Sequence, residues 1–298
     1  MASLKEIKGR IASVQSTQKI TSAMKMVASA KLHRAQAAIT GMAPYERKLS
    51  AILNAFLAGG SEDDQTASPL TAKRTAVRKV VIVAFSSNSS LCGAFNSNVA
   101  KELHETILSF PELTKEQILV HPVGKKIAQA ARKEQCTIVG SYEKLAEQAD
   151  FDAISALAYQ LMDDYARGEI DRVILLYHRF KSASSQVLER KELLPVSLDD
   201  VFSSSQAKAQ HPALAPDYIV EPSRSALLAT LLPQTIALNL FTALLDNQAS
   251  EHAARMTAMQ VATDNAADLL DDLTLHYNKS RQYAITSELL DIIGGSMQ

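Results

Sequence analysis

The two ends of this 298-residue chain are long helical patterns of opposite charge, with a strand-bearing segment between them. Residues 1–50 carry nine Lys and Arg against Glu6 and Glu46, whereas residues 246–298 carry eight Asp and Glu against Arg255, Lys279 and Arg281. Helices with opposite fields favour each other as neighbours. Both flank the same insert, so the returning chain makes them antiparallel. The basic residues of the first helix then have the acidic last helix as their expected partner.

Ser3 and Glu6 form a capping-box pattern that opens the first helix. Leu4, Ile7, Ile11 and Val14 follow alternating spacings of three and four, the seam of a coiled coil. In the same register the seam next meets Gln18, Thr21, Lys25 and Ala28, which are poor core residues, while Ile20, Met24 and Val27 stand one position aside. The apolar stripe thus leaves the seam near residue 18, which calls for a drifting helix or a second neighbour. The helix is expected to reach about Leu57, with Pro44 at a kink or at the start of a second segment. The last helix begins near Ser223, with Pro233 kinking it or marking its true start. Its seam reads Leu238, Thr242, Leu245, Ala249, His252, Met256, Met259, Thr263, Ala266, Leu270, Leu273 and Tyr277. Small and polar members in that series predict close packing.

Residues 59–76 read as a linker by composition. Lys79–Phe85 is a continuous apolar strand of the buried parallel type. A helix over 96–109, a strand over 117–123, a helix over 124–134, a short strand over 136–140 and a helix over 150–167 follow. Strands are expected over 171–177 and, on an outer edge, 186–196. This order implies an α/β class fold: a long antiparallel coiled coil of N- and C-terminal helices plus a three-layer, Rossmann-like α/β domain. The expected organisation is a coiled-coil helix over 1–58, the α/β domain over 77–222 and a second coiled-coil helix over 223–298. Residues 203–217 read as a loop.

Composition narrows the function classes. A net charge of −1 argues against a general nucleic-acid binder. No stretch reads as a membrane span, since the most apolar run, 226–245, is broken by Thr230, Pro233, Gln234, Thr235, Asn239 and Thr242. Two cysteines, Cys92 and Cys136, make no disulfide framework and point to a reducing compartment. No signal peptide is read, because a charged helical pattern begins at Ser3.

Little in the chain suits covalent catalysis. SSNSSLCGAFNSN stands after the first strand, where a nucleotide-binding fold carries its glycine-rich loop, yet it holds only Gly93. It reads as a structural turn. Cys92 has no nearby histidine in sequence and reads as a small buried thiol. The seven histidines show no metal spacing, and the adjacent pairs Asp163–Asp164 and Asp271–Asp272 diverge on helices. The C-terminal stripe of Ile285, Leu289, Ile292 and Ile293 is different: it runs beyond the start of the first helix and calls for an external apolar collar.

Three segments carry a family resemblance: LKEIKGRIASVQSTQKITSAMKMVASAKLHRAQ, SSLCGAFNSN, and the stretch from SEHAARMTAMQVATDN to SELLDIIGG. All three resemble the gamma subunit of F-type ATP synthases. That family's C-terminal signature falls on Ile285, Thr286, Glu288, Asp291, Gly294 and Gly295. The resemblance implies a central-stalk rotor without catalysis or cofactor. It would turn inside a hexamer of alpha and beta subunits, beside an epsilon subunit, on a membrane ring of c subunits. Proton or sodium flow would thereby be coupled to ATP synthesis. It implies hexamer contacts at Met24, Lys25, Arg281, Gln282, Thr286 and Glu288, and ring contacts at Tyr218 and Glu221. The expected location is the cytoplasmic face of a bacterial inner membrane, peripheral and held only through the complex. A static coiled-coil adaptor is the alternative from another class; an enzyme using the α/β domain comes third.

Overall fold

The computed structural model describes residues 4–58, 68–72, 74, 76–196 and 224–296. Ser3, Tyr218, Glu221 and residues 203–217, to which the sequence assigns a cap, ring contacts and a loop, lie outside them. The chain divides into two units, Met1–Ala30 with Arg255–Gln298, and Lys31–Ala254.

Helix α1 spans Leu4–Ala58 and the last helix, α6, spans Arg224–Ser296. Pro44 and Pro233 lie inside them, so neither proline ends its helix. A mid-helix proline costs ~3 kcal/mol, and packing on either side offsets it: Leu49 and Leu53 follow Pro44 in the core, and Leu232 and Ile236 flank Pro233.

The larger unit is built on a five-stranded sheet of order β3-β2-β1-β4-β5. The strands are β1 (Val80–Phe85), β2 (Ile118–Val123), β3 (Thr137–Ile138), β4 (Arg172–Ser182) and β5 (Ser185–Leu194). The first four are parallel, and β5 pairs antiparallel with β4 along the edge. Helices α2 (Phe95–Leu108), α3 (Lys125–Lys133), α4 (Glu143–Glu147) and α5 (Phe151–Arg167) connect them. Alternation along β1 defines the layers. Val80, Ile82 and Ala84 pack with Val99, Leu103 and Ile107 of α2 and with Ile127 and Ala131 of α3. Val81, Val83 and Phe85 pack on the other face with Ile154, Leu157 and Leu161 of α5 and with Ile236, Leu240 and Leu244 of α6. Successive strand residues point to opposite faces, so this apolar run fills two cores at once.

That packing also bears on the expected absence of a membrane-length segment. Within Ala226–Ile293, α6 has a window long and apolar enough to cross a bilayer by length and composition. Its leucines are nevertheless covered by the sheet: Leu232 is 2% exposed, and Leu240 and Leu244 are fully buried. The polar breaks that argued against a span leave the mean hydropathy high, because the intervening residues are nearly all Leu, Ile and Ala.

Asp171 anchors the approach to β1. Its carboxylate accepts from Arg74 Nη1 at 2.8 Å and from the backbone N–H groups of Arg78 and Lys79 at 2.7 and 3.0 Å. These bonds hold the carboxyl below its usual range despite partial burial. Arg74 also donates to the carbonyls of Ile170 and Tyr165 and lies over the Tyr165 ring.

Candidate partner-binding surfaces

In the smaller unit, α1 and α6 meet through a continuous heptad seam. The Thr21 and Thr263 hydroxyls lie 2.8 Å apart across it. Antiparallel counting from that pair brings Ile7 opposite Tyr277, Ile11 opposite Leu273, Val14 opposite Leu270 and Lys25 opposite Met259. Burial follows the same positions: Ile7, Ala28, Met259 and Ala266 are buried, and Leu4, Ile11, Val14, Gln18, Thr21, Lys25, Thr263, Leu270, Leu273 and Tyr277 are half-buried. The seam therefore does not drift at residue 18. It keeps its spacing through polar and small residues, and Ile20 (60% exposed) and Val27 (58% exposed) face outward within this unit. Met24 and Lys25 are both half-buried at or beside the seam.

Past Ala284 the inward face disappears. Counting places Leu4, the first described residue of α1, opposite Ser280, so α6 continues beyond the described part of α1. Ile285, Leu289, Ile292 and Ile293 are all at least half exposed, with Tyr283 at 78%. Arg281, Gln282, Thr286 and Glu288 are exposed on the same stretch. Thr286 donates its hydroxyl proton to the Gln282 carbonyl at 2.9 Å, leaving its oxygen as an acceptor towards solvent.

Charge is arranged differently from the expectation of direct pairing. Among the described residues, the ion pair made by the α1 cations is the local Arg10–Glu6 contact at 2.8 Å. Lys5, Lys8, Lys19, Lys31, Arg34 and Lys48 are exposed and make no ion pair there. A seam is flanked by only two columns of positions, and the basic residues sit largely outside them. The opposite fields remain, but the cations of α1 stay available to other chains.

At the carboxyl end of β1 the turn folds back on itself. Leu91 and Gly93 adopt positive φ, and the Asn96 amide donates to Ser87 Oγ at 2.8 Å and to Cys92 Sγ at 3.0 Å. The first N–H groups of α3, which in a nucleotide-binding fold would face a phosphate, already have acceptors. Lys125 N donates to Asn88 Oδ1 at 3.0 Å, Lys126 N to the Ser87 carbonyl at 3.2 Å and Ile127 N to Ser86 Oγ at 2.9 Å. Gly124 permits the approach: at φ +115° its Cβ would lie 2.5 Å from the Ser86 carbonyl oxygen. The turn was legible in the sequence but these partners, two side-chain oxygens and one carbonyl some forty residues upstream, were not. No group of three or more His, Cys, Asp or Glu among the described residues could hold a metal.

A groove of 760 Å³ lies in the larger unit between α1, β4, β5 and α6, lined in part by Glu46, Tyr177, Arg179, Glu189 and Asp246. Glu189 takes both nearby donors, Tyr177 Oη at 2.8 Å and Arg179 Nε at 2.8 Å. Burial, then the Glu46 and Glu189 charges, push the Asp246 carboxyl up to about 7.

The model of the family described as ATP synthase matches residues 3–297. The ATP synthase gamma chain of Bacteroides fragilis is 54% identical over 297 residues, covering 100% of both chains. That of Bacteroides thetaiotaomicron is 53% identical over 302 residues, again covering 100% of both. Among solved structures, a chain in the central stalk and c ring of the Tetrahymena thermophila mitochondrial ATP synthase is 25% identical with a TM-score of 0.55, covering 82% of this chain and 99% of that one. A chain of the Euglena gracilis mitochondrial ATP synthase shares the fold at a TM-score of 0.63 and 22% identity, covering 99% and 93%.

Proposed function

This chain belongs to the ATP synthase family as a gamma chain, and we propose that its C-terminal end beyond Ala284 is the part of the rotor gripped by the surrounding catalytic subunits. The chain is the central-stalk rotor of the ATP synthase, a peripheral component of that membrane-associated complex. Its partners are the hexamer of alpha and beta subunits, the epsilon subunit and the c ring.

One observation carries the proposal. A helix that pairs with α1 through a heptad seam from Met259 to Tyr277 continues past its partner's described start with every residue from Ile285 to Ile293 exposed. Burying that stripe against an external sleeve is worth ~25 cal/mol per Å² of apolar surface, and a helix of this length otherwise gains nothing from it. Arg281 and Gln282 donate to the sleeve, while Thr286 and Glu288 accept, each bond contributing ~1–3 kcal/mol net. Bonds of that size break and re-form as the rotor turns. Met24 and Lys25 contribute from the edge of the seam.

The gamma chain itself performs no bond chemistry in this reading. Its amides at α3 hold the chain's own oxygens, and its work is mechanical, transmitting ion flow to the catalytic sites. Tyr218 and Glu221 meet the c ring, and the chain works at the cytoplasmic face of a bacterial inner membrane. Truncation after Ser280 tests the grip: the shortened chain should keep its sheet domain but assemble weakly with alpha and beta and lose coupled ATPase. Full assembly and coupling in the truncated complex would refute it.

A further inference from the structure

We propose that the Thr21–Thr263 hydroxyl pair is a facing lock, which holds the polar side of α1 against α6 and keeps the apolar residues Ile20 and Val27 turned outward. The observation behind it is an inversion. Through residues 18–28, α1 buries or half-buries Gln18, Thr21, Lys25 and Ala28, while Ile20 and Val27 are more than half exposed. Adjacent positions differ by about 100° around an α-helix, so one rotation of that size would exchange the two sets. Transfer of apolar surface from water favours the exchange.

Two features oppose it. Small residues set a close approach: Ala28 is 1% exposed and Ala266 7%, and a larger side chain at that spacing overpacks. The hydroxyl pair supplies direction. Thr21 Oγ1 lies 3.0 Å from the Gln18 carbonyl, Thr263 Oγ1 lies 2.8 Å from the Met259 carbonyl, and the two oxygens lie 2.8 Å apart. Two hydroxyl protons serve three contacts, so one threonine donates to its own helix while the other donates across the seam. Rotating α1 breaks that cross-helix bond and leaves a half-buried hydroxyl against apolar neighbours. A polar pair at a single seam layer is the known physical means of fixing one packing among several. Thr21 and Thr263 are thus positioning residues, acting through the outward placement of Ile20 and Val27. The lock itself does not depend on the rotor reading; only the use made of the outward residues does.

The test reads which face is inside, on the full chain. Single reporters Val27→Cys and Gln18→Cys are labelled with maleimide, the native Cys92 and Cys136 being buried. With both threonines present, position 27 reacts fast and the half-buried position 18 more slowly. In the isosteric Thr21→Val, Thr263→Val chain the ratio of the two rates should fall about fivefold, the population shift of one net hydrogen bond. Thr21→Ser, Thr263→Ser should restore it. If the double valine chain does not fold, Thr21→Val alone removes the cross-helix contact and the same ratio is read. An unchanged ratio without the hydroxyls overturns the lock, because packing alone would then set the facing. Failure of the chain to assemble with catalytic subunits would instead contradict the rotor reading and leave the labelling ratio intact.

Discussion

The Lys125 backbone N–H donates to the side-chain oxygen of Asn88 at 3.0 Å, so the amide at the start of α3 binds the chain's own turn. Asn88 also donates to the Glu143 carbonyl and to Glu147 Oε1, both at 2.9 Å, tying β1, α3 and α4 together. Asn88→Ala should lower the stability of the folded chain by ~1–3 kcal/mol in urea denaturation. Calorimetric titration of the unaltered chain with ATP or a dinucleotide should show no binding in the micromolar range. Gly124→Ala should cost ~2 kcal/mol or more, because the added methyl meets a backbone oxygen at positive φ.

Asp246 should give stability an acid-favouring component. Its carboxyl sits at about 7 in the folded chain against 3.8 for a free carboxyl. The folded state therefore holds a proton that the unfolded chain has released between those values. Below the lower value Asp246 costs nothing; the penalty grows as pH rises towards 7 and is complete above it. Asp246→Asn should raise stability at pH 8 by ~1–3 kcal/mol and change it little at pH 4. Paired denaturation curves at the two pH values check this.

His178 and His121 pull the other way. His178 stacks on Phe95 with ring centroids 4.2 Å apart, and burial depresses both imidazoles from 6.5 to about 4. Between those values the unfolded chain is protonated and the folded chain is not, so stability falls as pH drops from 6.5 to 4. NMR titration should show both rings neutral down to about pH 4.

Ile20 and Val27 should matter to assembly and not to folding. Ile20→Gln and Val27→Gln should change the stability of the free chain by no more than ~0.5 kcal/mol. Each should weaken association with the alpha–beta hexamer by ~1–2 kcal/mol, measured by competitive reconstitution.

Most of the sheet was legible because period-two and continuous apolar runs identify buried strands directly: KVVIVAF and DRVILLY became β1 and β4. The seam was legible as well, since its three–four spacing holds from Leu4 to Ala28. The departure of the apolar stripe from that seam near residue 18 was legible too, and Ile20 and Val27 do stand outside it; that the helix keeps its register there was not, because small size and one hydroxyl pair, which leave no apolar signal, decide the facing. Helix α4, five residues long, left no period to detect. The Asn88 and Asp171 anchors were hidden for another reason: each acts on backbone amides far away in sequence, and such contacts leave no local pattern. At the C-terminal end, exposure of Ile285, Leu289, Ile292 and Ile293 was readable from the stripe alone.

The grip on the C-terminal end is most directly tested by maleimide reactivity of Ile285→Cys, Leu289→Cys and Ile292→Cys, measured in the free chain and in the assembled complex. All three should react rapidly in the free chain and become strongly protected on assembly, with a reporter at the exposed Leu108 of the sheet domain unchanged in rate. Equal reactivity of the three sites in both states would mean that nothing encloses this end.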